Sequence, residues 1–161
     1  MRKLKDGPRN GRAAGGRIPP QSPEREVFLM IQRTADVLMR DLEELLKPYR
    51  LSPTQYHVLR ILRSARPEGL ACHEITARMS THDPDMTRLL DRLEARRLLA
   101  RQRQRDDRRV IRVHITPEGL ALLRNLDEPV RQAHKRQLGH IGGRRLALLQ
   151  KLLTLAQTPK A

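Results

Sequence analysis

The sequence is poor in aromatic residues and in cysteine, and both shortages narrow what it can do. Phe28, Tyr49 and Tyr56 are its only aromatic side chains, and tryptophan is absent. Single-strand nucleic-acid binders stack bases on aromatic platforms, so that mode is disfavoured. The single Cys72 forbids an intrachain disulfide and suits a reducing compartment. No apolar run approaches the roughly 20 residues needed to span a bilayer, and the basic N-terminus lacks the apolar core of a secretory signal. A soluble, cytoplasmic protein with no membrane partner is expected.

Catalytic constellations are missing too. The six histidines form no H-x3-H or HExxH pair, and Cys72-His73 are adjacent, pointing to different faces of a helix. Glycine-rich phosphate loops, a GxSxG elbow and nucleotide fingerprints are absent. Neither an enzyme, a metal site nor a cofactor is expected.

What the chain has in abundance is positive charge. Its 161 residues fit one domain and carry 33 Lys+Arg against 18 Asp+Glu, a net charge of +15. Such a balance favours a polyanionic partner, because a basic face attracts phosphates and releases their counterions. Charge alone does not separate a gene regulator from a ribosomal or chromatin-like protein. Residues 1–21 combine six basic residues, four glycines and three prolines with little to bury, and are expected to form a disordered basic arm.

Helix starts are punctuated by one recurring device. Ser22-Pro23, Ser52-Pro53, Asp83-Pro84 and Thr116-Pro117 each place a capping side chain before a proline at the first helical position. Ser52-x-x-Gln55 also fits a capping box. The periodicity predicts helices over about 24–47, 53–64, 71–79 and 84–97, with Pro67 and Gly69 in a turn. On the fourth helix Met86, Leu89, Leu90 and Leu93 make a core stripe. The opposite side presents Thr87, Arg88, Asp91 and Arg92, with Asp85 at its start.

A short strand over 98–102 follows. Ile111, Val113 and Ile115 then alternate with Val110, Arg112 and His114 as a half-buried partner strand. The tip between them, with Arg103, Arg105, Asp107, Arg108 and Arg109, has no apolar residue and must lie in solvent. From Pro117 the chain returns to helix, with Pro129 a candidate kink or stop. A last helix after Gly142-Gly143 carries Leu146, Leu148, Leu149, Leu152, Leu153 and Leu155 over too wide an arc for one wetted on a broad face. A second subunit is the expected cover, with packing against the first helix as the alternative.

A mainly α fold with a small β-hairpin wing, its winged helix-turn-helix flanked by long terminal helices, is the outcome. In this order it resembles the multiple-antibiotic-resistance regulator (MarR) family over roughly residues 24–157. LSPTQYHVLRIL (51–62) is similar to that family's second helix, MTRLLDRLEARRLLAR (86–101) to its recognition helix, and DDRRVIRVHITPEG (106–119) to its wing and the following helix entry. The resemblance implies a homodimer built by helices at about 24–47 and 117–157, with Leu146, Leu149, Leu152 and Leu153 at the interface. It implies a winged helix over about 51–116 that binds double-stranded DNA at a pseudo-palindromic operator, with Asp107 and Arg109 of the wing in the minor groove. A repressor released by a small-molecule effector or a stress signal is the implied function. Some relatives sense oxidants through cysteine, but Cys72 is placed poorly for that and an inert thiol is expected.

One residue departs from the family pattern. Arg97 stands where glycine usually closes the recognition helix, so the helix is expected to end one residue differently. The competing reading is a non-specific basic architectural or ribosome-associated protein. Asp85 and Asp91 argue against it, since acids on a purely electrostatic face serve nothing, whereas a reader uses them to orient arginines or accept from cytosine.

Deleting residues 1–21 removes six positive charges and one negative charge but no apolar periodic segment. Folding and operator preference should survive, while the dependence of log affinity on log salt becomes shallower. Binding titrations at several salt concentrations check this, and loss of operator preference would mean that the arm reads a groove.

Overall fold

The computed structural model describes residues 22–79, 85–103 and 111–157. Residues 22–34 belong to one unit, and everything from Ala35 onward to a second. Helix α1 (Pro23–Leu46) is continuous and passes into a 3-10 turn, Lys47–Tyr49, one residue before Pro48 was expected to stop it. Then follow α2 (Pro53–Ser64), β1 (Leu70–Ala71), α3 (Cys72–Arg78), α4 (Met86–Ala95), β2 (Leu99–Arg103), β3 (Ile111–Ile115), α5 (Pro117–Leu138), a 3-10 turn at Gly139–Ile141 and α6 (Gly143–Ala156).

Capping chemistry places several of these starts. The Ser52 hydroxyl accepts the Gln55 N–H at 3.2 Å while the Gln55 side chain accepts the Ser52 N–H at 3.1 Å, completing the expected box. Ser22 and Thr116 cap α1 and α5 in the same way, accepting from Arg25 at 3.3 Å and Gly119 at 3.1 Å. The expected Asp83-Pro84 cap lies outside the described residues. Helix α4 begins later than expected, at Met86, with Asp85 preceding it in a non-helical conformation. Pro129 does not end α5. It removes one backbone donor, yet buried Leu126, Val130 and Ala133 hold the helix on either side of it.

The sheet has three antiparallel strands in the order β1-β3-β2. Strand β1 pairs Leu70 with Val113 and was not expected: the turn was placed at Pro67 and Gly69, and Ala71 was assigned to the start of the third helix, which begins instead at Cys72. In β2 and β3 the register Leu99↔Ile115, Arg101↔Val113, Arg103↔Ile111 puts these six residues on one face. Leu99, Val113 and Ile115 on that face join the core with Leu90 and Leu93 of α4, Leu59 and Leu62 of α2, and Leu123 and Leu126 of α5.

The end of α4 settles how arginine replaces glycine. Arg97 itself takes the left-handed conformation, with φ 57°. Its N–H reaches the Glu94 carbonyl at 2.8 Å, and the Leu98 N–H reaches back to Leu93 at 3.0 Å. The helix therefore closes with the Schellman pairing a glycine would give, and the left-handed residue is arginine at a steric cost. Arg50, after the 3-10 turn, has φ 52°. Arg96 joins the two corners, its guanidinium donating to the carbonyls of Arg50 at 2.5 Å and Tyr49 at 2.8 Å.

These corners give substitutions of opposite sign. Arg97→Gly should raise stability by about 1 kcal/mol by relieving the left-handed backbone. Gly119→Ala should cost about 3 kcal/mol, lowering Tm by roughly 6–12 °C, because a Cβ there would lie 2.2 Å from the Leu98 carbonyl oxygen. Gly143→Ala is the control, since a Cβ there meets nothing within 4 Å. Thermal melts of the three variants check the signs.

Candidate nucleic-acid interface

The buried stripe of α4, with Met86, Leu89, Leu90 and Leu93, fixes which side of the helix faces outward. Thr87, Arg88, Asp91 and Arg92 all lie exposed on that outer side, as their spacing required. Asp85 is half-buried at the helix start and sits 3.4 Å from the Arg88 guanidinium. Across a small polar cleft of about 120 Å3, Asp85, Arg88 and Arg92 meet Ser52, Thr54 and Gln55 at the start of α2. The capping box already takes the Ser52 and Gln55 N–H groups and Pro53 has none, so it is the guanidinium groups of Arg88 and Arg92 that suit this cleft to an anion.

Asp91 has a partner that sequence reasoning missed. Its carboxylate lies 2.7 Å from the guanidinium of Arg101 on β2. The same guanidinium contacts Glu94 at 2.6 Å, and the Arg101 N–H donates to the other Glu94 oxygen at 3.1 Å. Burial opposes the charge on Arg101, but hydrogen bonds and attraction from Asp91 and Glu94 outweigh it and raise its pKa above the ordinary arginine value. The signal was present in the sequence: Arg101 occupies the row of β2 that Leu99 begins, where the alternation demands a residue facing α4.

Arg112, on the other row, is tied to structure. It donates to the Gly69 carbonyl at 3.1 Å and lies 3.5 Å from Glu74. Glu74 in turn accepts the Ala71 N–H at 2.7 Å. That backbone hydrogen bond, assisted by Arg112, holds the Glu74 carboxyl below the usual carboxylate range.

Of the expected wing residues, Arg103 ends β2 exposed and opposite Ile111. Arg105, Asp107, Arg108 and Arg109 lie outside the described residues. A cleft of about 350 Å3 between α3, α4 and the hairpin is lined by Cys72, Thr87, Leu90, Asp91, Arg101, Ile111 and Val113. Cys72 is a free, exposed thiol at the first residue of α3. Among the described residues, no group of three or more His, Cys, Asp and Glu side chains is placed to hold a metal ion, and no helix is long and apolar enough to cross a membrane. Tyr56 is buried in the core and Tyr49 packs against it. On α6, Leu146 is half-buried while Leu149, Leu152 and Leu153 are exposed.

The family model described as MarR family matches residues 51–111, the stretch from the start of α2 to the first residue of β3. A crystal structure of a MarR transcription factor from Planctomyces limnophilus is 45% identical, covering 83% of this chain and 97% of that one with a TM-score of 0.65. The chain belongs to the MarR family. The HTH-type transcriptional regulator TtmR of Methylorubrum extorquens is 33% identical over 112 residues, 70% of this chain and 56% of that protein. This MarR-family chain thus spans little more than half the length of that curated relative. An E. coli MarR mutant crystallised with operator DNA shares the fold, with 24% identity, a TM-score of 0.75 and coverage of 83% and 94% of the two chains. The winged-helix fold expected from the sequence is therefore the fold of the family.

Arg88 stands at the centre of the exposed α4 face, so Arg88→Ala should weaken operator binding more than binding to random duplex. If its fork meets guanine, about 1–3 kcal/mol of discrimination disappears. Paired titrations check this, and equal losses on both duplexes would make Arg88 a phosphate contact.

Proposed function

We propose that this chain is a cytoplasmic, homodimeric, sequence-specific DNA-binding repressor, released from its operator by a small ligand or stress signal. The observation that carries the reading is the outer face of α4. Thr87, Arg88 and Arg92 lie exposed on two successive turns, beside an antiparallel hairpin whose outer end carries Arg103. A helix of this kind fits the major groove while a wing straddles the backbone. The cleft that Arg88 and Arg92 share with the start of α2 offers a neighbouring position for a phosphate, so positioning and reading groups lie side by side. In this reading residues 51–116 form the DNA-binding lobe, with Arg105, Asp107, Arg108 and Arg109 extending the wing.

The dimer is supported by α6. Leu148, Leu152 and Leu155 are 57%, 54% and 69% exposed, with Leu149 and Leu153 at 38%. Removing a leucine side chain from water is worth about 1.5–3 kcal/mol, so five such residues on one helix favour a covering surface. A second copy supplies it with the two-fold symmetry that a pseudo-palindromic operator requires, and helices at 24–47 and 117–157 are its proposed source. The cleft between α3, α4 and the hairpin supports the effector reading, because an occupant would touch all three parts of the lobe.

Footprinting on the region upstream of the protein's own gene tests sequence choice, and uniform protection would favour the non-specific architectural alternative. Ultracentrifugation at micromolar concentration should give about twice the 18.6 kDa chain mass, and a monomer would defeat the two-fold operator. Leu149→Glu and Leu153→Glu should disrupt assembly. Inserting about 5 bp between half-sites spaced by one turn should abolish tight binding by rotating one half-site away.

A further inference from the structure

Three positions on successive turns of α4 converge on one arginine from the wing strand. Arg101 reaches the Thr87 carbonyl at 3.4 Å, Asp91 at 2.7 Å and Glu94 at 2.6 Å. Those positions are spaced four and three apart, so they form one stripe along the helix. The Glu94 carboxylate also accepts the Arg101 backbone N–H, so side chain and main chain of β2 are held together. The register seats Arg101 opposite buried Val113, and its side chain is only 25% exposed. An arginine whose donors are directed at two carboxylates and a helix carbonyl on its own lobe is badly placed to serve phosphate as well.

We propose that Arg101 is a positioning residue that locks the recognition helix to the wing strand, so that α4 and the hairpin meet DNA as one rigid body. The proposal rests on the DNA-binding reading and gives Asp91 an anchoring duty in addition to its place on the outer face. It follows from the physics of the fork. Guanidinium donors are fixed in one plane and engage several acceptors at once, whereas an ammonium is a point charge on a flexible stem. With the lock in place, the directions of Arg88 and Arg92 relative to the wing are set before DNA arrives, and little ordering entropy is lost on binding.

The test uses the full-length chain with Arg101→Gln, Arg101→Lys, Asp91→Asn and the double Arg101→Gln, Asp91→Asn variant. The probes are a duplex selected from a random-sequence library by the wild-type protein and a scrambled duplex of equal length. Arg101→Gln should lower the preference for the selected duplex about tenfold, the scale of coupling between residues in contact, with an unchanged salt slope. Arg101→Lys should fail to restore that preference, and the double variant should lose little more than Arg101→Gln alone. In the DNA-free proteins, amide hydrogen exchange over residues 86–95 should quicken while that over 53–64 stays as in the wild type. A salt slope shallower by about 1, with rescue by lysine, would overturn the proposal and make Arg101 a phosphate contact. Unchanged exchange over 86–95 in Arg101→Gln or in the milder Arg101→Lys would overturn it too. If the wild type selects no sequence, the regulatory reading fails, and the exchange measurement still decides whether the lock exists.

Discussion

The carbonyl of Leu98 lies where three elements meet, and the DNA-binding lobe is organised around it. It accepts the Thr116 N–H at 3.2 Å, while the Leu98 N–H closes α4 by donating to Leu93. The Thr116 hydroxyl donates to the Arg97 carbonyl at 2.6 Å and accepts from Gly119, so one side chain ties the end of α4 to the start of α5. Gly119 permits this approach because a larger residue would collide with the Leu98 oxygen. The left-handed backbone at Arg97 turns the chain from α4 into β2 within a residue or two. A recognition helix and a wing placed by one corner this tight have few independent ways to move.

Legibility in the sequence followed the strength of local signals. Helix α2 was readable to its ends, Pro53 and Ser64, because its cap, its capping box and its proline act within four residues of one another. Strand β3 was readable as an element from its alternation, and Val113 and Ile115 of its inward row are buried, but Ile111, at the end away from the core, is exposed. Strand β1 was not readable, because two residues cannot display a period and Leu70-Ala71 become a strand only by pairing with β3. Helix α4 ends at Ala95 through a pairing between backbone groups, which no side chain announces.

The candidate site divides similarly. Thr87, Arg88, Asp91 and Arg92 were legible because a helix with one buried stripe exposes the opposite one. The alternation of β2 was enough to place Arg101 on the inward row, but its partnership with Asp91 and Glu94 in particular depends on how the strand crosses the helix, which no local pattern states. The leucines of α6 were legible as an arc too wide for a single solvated face. Their exposure along the helix is the physical form of that excess.

Abundance of arginine is thus a poor guide to which arginines meet DNA. Arg63 is committed to a two-pronged contact with Asp127 that joins α2 to α5. Arg96 holds the corner after α1, Arg101 the flank of α4 that carries Thr87, Asp91 and Glu94, and Arg112 the edge strand β1. Arg101 and Arg112 satisfy acceptors at partly buried positions, where an unpaired group is costly, whereas Arg63 and Arg96 make their contacts nearer solvent. Arg88, paired at its exposed end with Asp85 at 3.4 Å, and Arg92 face outward toward solvent and the α2 cleft. The long-range field does not distinguish the two groups, because every guanidinium contributes to the net charge that draws a polyanion in. Recognition at contact does distinguish them, since a fork already engaged by the protein has no geometry left for a base edge. Attraction to a polyanion is therefore spread over the whole basic chain, while the outward side chains of α4 are the ones placed for the proposed sequence choice.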